Sequence, residues 1–275
     1  MSEARTAELS APVKGSPPPI AAALWRKPTR RQAMPLFAVA AMIVVALLTL
    51  VLSGRAAVLI LDNHEHSHFP YPFTIQNIMH VIFFIGLGEL FVRWRIAARE
   101  CRFLQKGFLP EDDQTVLGPE DLGPIRRKVA NQFDHEHGFL PSLINMAVLQ
   151  FQSSSSVEQA AGVMNQHLAL MSHRLDLRYG LVRFIAWVVP TLGFIGTVFS
   201  LGASLSEAGV PGQELNLKEV ARTLGIGFDC TMVALSESAI LVFLLHLVQE
   251  REESALNSAG DYTLRTLINR LYAGN

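Results

Sequence analysis

The stretch VVPTLGFIGTVFSLGASL (residues 188–205) is apolar enough for lipid, yet it carries one proline, three glycines, two threonines and two serines, and no charge. In water these residues weaken helices. In a bilayer every backbone polar group must be satisfied within the segment, so a helix forms regardless, and small residues then let a second helix approach closely. The stretch therefore reads as a membrane helix built for intimate contact. LGIGFDCTMVALSESAILVFLLH (residues 224–246) has the same mixture of small, hydroxylic and large apolar residues.

Composition agrees. Of 275 residues 50% are hydrophobic and 17% charged, against about 25% charged in a soluble domain. A net charge of −1 gives no electrostatic basis for nucleic-acid binding. Cys101 and Cys230 are expected as free thiols, since a disulfide scaffold carries more cysteines. No secretory signal is expected: a polar, Pro-rich run too long for an n-region precedes the first apolar segment.

Four segments reach the roughly 20 apolar residues that cross a bilayer. They predict an all-α polytopic membrane protein. Its parts are a mobile tail (1–33), a first span (34–61), an outer loop (62–72), a second span (73–94), a cytoplasmic helical domain (95–179), a third span (180–206), a second outer loop (207–218), a fourth span (219–248) and a C-terminal cytoplasmic helix (249–275). Arg26, Lys27, Arg30 and Arg31 precede the first span, and Arg93, Arg95, Arg99 and Arg102 follow the second. Arg174, Arg178 and Arg183 lead into the third, and Arg251 follows the fourth. Basic residues concentrate on the cytoplasmic side, so both termini and the long middle segment are expected there.

The run SSSSVEQAAGVMNQHLALMSHRLDLRYGLVRFIAWVV is predicted as one helix entering the third span, started by a serine cap. Val163, Leu168, Met171, Leu175 and Leu181 keep its apolar period. The C-terminal helix is predicted to pack on the middle segment through Leu256, Tyr262, Leu264, Leu267, Ile268 and Leu271.

On the third span, Gly193, Gly196 with Thr197, Ser200 and Ser204 recur at three- and four-residue steps and share a face. On the fourth, Thr223, Gly227, Thr231, Ala234 and Ser238 do the same. At 1.5 Å per residue, Thr197 lies roughly 20 Å in from the cytoplasm and Thr231 about 17 Å in from the other side, so both fall near mid-membrane. Two readings fit such stripes: helix packing alone, or paired helices lining a narrow polar path.

The two quoted stretches resemble the last two transmembrane helices of the MotA/TolQ/ExbB proton channel family, the first through its Pro190, glycine and GTV pattern. The resemblance covers roughly residues 168–271; four spans are MotA-like, whereas ExbB and TolQ have three. It implies a homopentameric ring around two single-span helices of a MotB/TolR/ExbD-like partner. The partner's aspartate exchanges protons, and ion flow drives rotation as in a stator. Thr197 and Thr231 would then be the pore threonines, with Ser200, Thr223 and Ser238 beside them and Pro190, Gly193, Gly196 and Gly227 shaping the helix contacts. The transported ion would be a proton rather than sodium, no cofactor is needed, and the setting would be a bacterial inner membrane.

Intramembrane acids are functional candidates. Asp229 stands some 200° around the helix from Thr231, so the two cannot face one pore. Proton access or gating is one role for Asp229; a structural hydrogen bond to a neighbouring helix or subunit is the other, and the structural role is the expectation. For Glu237, deeper toward the cytoplasm, a proton exit is one reading but not the favoured one. Glu89 and Arg55 are expected to pair locally or snorkel. HEHSH (64–68) and DHEH (134–137) lack the ligand spacing of a zinc site. No Walker loop, dinucleotide fingerprint or nucleophile elbow is present, so an enzyme is not expected. A non-conducting membrane scaffold on the same bundle is the alternative; a secondary transporter is disfavoured by the lack of an inverted repeat.

Overall fold

A computed structural model describes residues 30–63, 70–110, 112, 115–130, 138–208 and 217–272. The histidine-rich segments 64–68 and 134–137, the tail up to 29 and most of the 207–218 loop lie outside the described residues. The described chain is helical: α1 (Arg30–Val51), α2 (Arg55–Leu61), α3 (Ile75–Leu104), α4 (Leu122–Ala130), α5 (Phe139–Ser154), α6 (Val157–Arg178), α7 (Gly180–Ala208) and α8 (Leu217–Thr266), with a closing 3-10 turn at Ile268–Arg270. Four helical stretches are long and apolar enough to cross a membrane, beginning at Met34, Ile75, Val157 and Leu217.

α7 and α8 form the centre of the bundle. α3 packs across both, and α1 lies outside α3. The α1–α3 crossing is close because Gly88 has no side chain: a Cβ there would stand 2.6 Å from the Phe37 ring. Gly86 is less tight: a Cβ there would stand 3.1 Å from the Leu241 and 3.2 Å from the Ile185 side-chain ends.

The single span expected over 34–61 is two helices. α1 ends at Val51, and Gly54 adopts φ 61°, a left-handed conformation that glycine alone takes at little cost. α2 then packs on α8, burying Ala57 and Leu61. Thr74 Oγ1 donates to the Leu61 carbonyl (3.0 Å) and Gln76 Nε2 to that of Leu59 (3.1 Å), so α3 supplies donors to carbonyls at the end of α2.

The helix expected to run unbroken into the third span is divided at Tyr179. Ser156 caps α6 by accepting from the Gln159 amide, as the serine run predicts. In the other direction, the fourth span and the C-terminal helix are one helix of 50 residues, ~75 Å long. Beyond it, Leu117 N donates to Arg270 O (2.8 Å) and Tyr272 N to Leu117 O (3.0 Å), which ties the chain end to the middle segment. Leu256, Leu267, Ile268 and Leu271 are buried there as expected, whereas Leu264 is exposed. Glu100 accepts from the amides of Gly138 (2.9 Å) and Phe139 (2.8 Å) and so caps α5 with a carboxylate at its positive end.

The break at Tyr179 is held by a buried polar joint. Tyr179 Oη donates to Glu252 Oε2 (2.7 Å), and Arg93 stands 3.8 Å from Glu252 Oε1 and pairs with Glu89. Glu89 therefore pairs locally, as expected, but fully buried, and Arg93 is buried with it. Burial holds the Glu252 carboxyl above the usual carboxylate range, opposed by the Tyr179 hydrogen bond and the Arg93 charge. A raised folded-state value means that this group favours folding at acid pH, and the benefit is lost as pH rises through the raised value. Tyr179→Phe removes one opposing interaction, so the value rises further and neutral pH becomes costlier. The variant is expected to unfold at a lower temperature, with a deficit of about 1–3 kcal/mol near pH 7 that narrows toward about pH 4. Thermal unfolding in detergent at both pH values checks this; a deficit that does not change with pH contradicts it.

Candidate functional site

The α7–α8 seam is an antiparallel zipper of small residues. A Cβ at Gly193 would lie 2.4 Å from the Ala234 methyl, one at Gly196 2.6 Å from Cys230 Sγ, and one at Gly227 2.7 Å from Ser200 Cβ. All are shorter than any real carbon contact, so the backbones approach to a distance only glycine permits. The two small faces expected from the sequence are thus brought against each other.

At the centre of the seam Thr197 Oγ1 and Thr231 Oγ1 are in hydrogen-bond contact. Thr197 also reaches the carbonyls of Gly227 (2.9 Å) and Gly193 (3.2 Å), and Thr231 reaches that of Gly193 (3.0 Å). Two hydroxyl protons therefore face two carbonyls and each other. Several assignments of those protons satisfy the group, and rotating a C–O bond interconverts them. Both threonines are half-buried.

The hydroxyls of Ser204, Thr223 and Ser238 are committed to carbonyls. Ser204 donates to Ser200 O (2.9 Å) and reaches Val220 O (3.3 Å). Thr223 donates to Glu219 O within its own helix (3.0 Å). Ser200 is buried against Gly227. Ser238 donates to Ala186 O across the seam (2.8 Å). Ala186 is four residues before Pro190, and proline has no N–H to offer that carbonyl. The proline defect in α7 is thus mended by a serine of α8. Ser238, grouped in the sequence with the pore hydroxyls, thus has its hydroxyl engaged beside Pro190. Ser238→Ala orphans the Ala186 carbonyl and is expected to cost about 1–3 kcal/mol, read as a lower unfolding temperature; restoration by a second change, Pro190→Ala, checks the assignment.

The two acids part company. Asp229 is half-buried on α8, while Glu237 is buried, 8% exposed, and faces α3. There Glu237 Oε1 meets His80 Nδ1, and His80 Nε2 stands 2.8 Å from the Ile60 carbonyl. His80 is absent from the sequence expectations, although a lone histidine in the apolar run NIMHVIFF is the kind of residue a bilayer makes costly. Cys230 is buried in the seam beside Gly196 as a free thiol. Among the described residues no group of three or more His, Cys, Asp or Glu side chains is arranged to hold a metal.

These features define a class: an all-helical protein with four membrane-capable helices, the last two joined by a glycine-lined seam with a hydroxyl pair at its centre. Residues 132–259 match the model of the MotA/TolQ/ExbB proton channel family, which places that family's pattern on the C-terminal part of the chain, seam included. Comparison with curated proteins gave no match.

Proposed function

We propose that the chain is a proton-channel subunit of a rotary motor in a bacterial inner membrane, with both termini cytoplasmic. Five copies surround two copies of a MotB/TolR/ExbD-like partner, whose single membrane helix carries the proton-accepting aspartate. The observation that carries this reading is the Thr197–Thr231 contact in a seam matched by the proton-channel family. An ionised carboxylate is costly in a low-dielectric channel, and hydroxyls lower that cost without fixing the charge. Hydroxyls with interchangeable acceptors suit this role, since they can turn toward the acid and back as its proton leaves and returns. A charge crossing 100 mV releases about 2.3 kcal/mol, enough for one conformational step. Ser200 and Thr223 continue the hydroxyl face outward.

A second reading is a non-conducting scaffold. It is favoured by the satisfaction of the seam hydroxyls on backbone carbonyls, which packing alone would also produce. Co-expression with a neighbouring gene product that has one apolar span bearing an aspartate, followed by native mass spectrometry, separates the two. Five copies with two partner chains are expected; a stable monomer, or a ring that retains no such partner, favours the scaffold.

A further inference from the structure

The His80–Glu237 pair lies inside the bundle, outside the threonine seam, and joins three helices: Glu237 on α8, His80 on α3 and the Ile60 carbonyl on α2. A carbonyl only accepts, so His80 Nε2 carries a hydrogen. Nδ1 then faces Glu237 Oε1 in one of two states: neutral imidazole with a carboxylic acid, or imidazolium with a carboxylate. Each state holds one proton between the two atoms and has no net charge, which is the condition for keeping titratable groups at this depth.

The surroundings call for a donor. Gln76 and Asn77, one turn above His80 on α3, have their amide nitrogens committed to the carbonyls of Leu59 (3.1 Å) and Pro72 (2.9 Å). Their amide oxygens are therefore fixed as acceptors. Gln76 Oε1, Asn77 Oδ1 and Glu237 Oε2 are buried and have no hydrogen-bond partner among the described residues. Glu237 Oε2, the second oxygen of the proton-sharing carboxyl, is thus a buried acceptor on the pair itself and suits a hydrated proton. Among the described residues, the other titratable groups near the pair are Asp62 just after α2, and Cys230 two turns from Glu237 on α8, which lies within electrostatic reach of both acids. Asp229 projects about 80° away from Glu237 on the same helix. Lower on α3, Glu89 and Arg93 engage each other.

We propose that His80 and Glu237 form a second proton-binding site in the membrane bundle, one proton shared between Nδ1 and Oε1 and loaded through Glu237 Oε2. Resting on the channel reading, this deepens it: the site holds a proton on the cytoplasmic side of the threonine pair. The test uses the full chain in lipid vesicles, with infrared spectra of Glu237 taken as the difference from Glu237→Gln and with 15N-labelled histidine, His80 being assigned from its loss in His80→Gln. The expected result has three parts. The Glu237 carboxyl signal shifts in His80→Gln, the His80 Nδ1 signal shifts in Glu237→Gln while Nε2 stays protonated, and both signals respond to D2O and to bulk pH. Signals that ignore each other's substitution overturn the shared proton, and coupled signals that ignore D2O and pH overturn the loading site in favour of a sealed structural pair. Thr197→Val is expected to leave all of these signals in place. Failure of the threonine path and failure of this site are therefore read separately.

Discussion

Replacing Gly193 with valine is expected to part α7 from α8 and abolish the correctly assembled protein. The first added carbon would stand 2.4 Å from the Ala234 methyl and 3.3 Å from Thr231 Cα. The Ala234 contact is with a methyl fixed to a helix, so no side-chain rotation relieves it; the backbones must separate by about 1 Å or more to reach van der Waals distance. That separation stretches the Thr197 bond to Gly227 O (2.9 Å) and the Thr231 bond to Gly193 O (3.0 Å) together, because both cross the same seam. Overpacking typically costs about 1–3 kcal/mol, and the lost cross-seam bonds add about 0.6 kcal/mol each. Gly193→Ala tests the same contact with the least volume and is expected to give a weaker form of the same defect. Unfolding temperature and size-exclusion behaviour in detergent measure the effect; a wild-type profile for Gly193→Val contradicts the close approach.

Thr197→Val and Thr231→Val together are expected to reduce motor output at least tenfold while the ring still assembles. Valine keeps the branched shape but offers no hydroxyl. Its structural cost is the loss of cross-seam bonds of about 0.6 kcal/mol each, which a bundle held by the glycine contacts absorbs. Its functional cost is larger, since an ionised acid beside two methyl groups loses the hydroxyl donors at the centre of the seam. Output is measured as proton uptake into vesicles holding the chain with its partner, and assembly by subunit counting. Assembled rings with full output would overturn a threonine-lined path. Lost assembly with the double variant, but full output from both single variants, would return the seam to a packing role.

The comparison of Ser238 with Thr197 shows how far a stripe can be trusted. Both are hydroxyls at helical spacing in an apolar run, and from sequence they look alike. One lies at the centre of the seam against another hydroxyl; the other serves a carbonyl freed by Pro190 on the neighbouring helix. Periodicity assigns a residue to a face, but not to a partner on that face. Glu237 makes the same point across 157 residues of chain: its acid was visible and its histidine was not, because nothing local links α3 to α8.

The sequence by itself determined the number of apolar helices, the serine cap of α6 and the small faces of α7 and α8, because these follow from hydropathy, local hydrogen bonding and a fixed 100° step per residue. It did not determine the break at Gly54, the division at Tyr179, the serine that mends Pro190 or the burial of His80 against Glu237. Those depend on which helices meet and how closely. That choice was made by packing across the bundle, where a missing Cβ at Gly86, Gly88, Gly193, Gly196 and Gly227 sets the distances and so the partners of every polar group between.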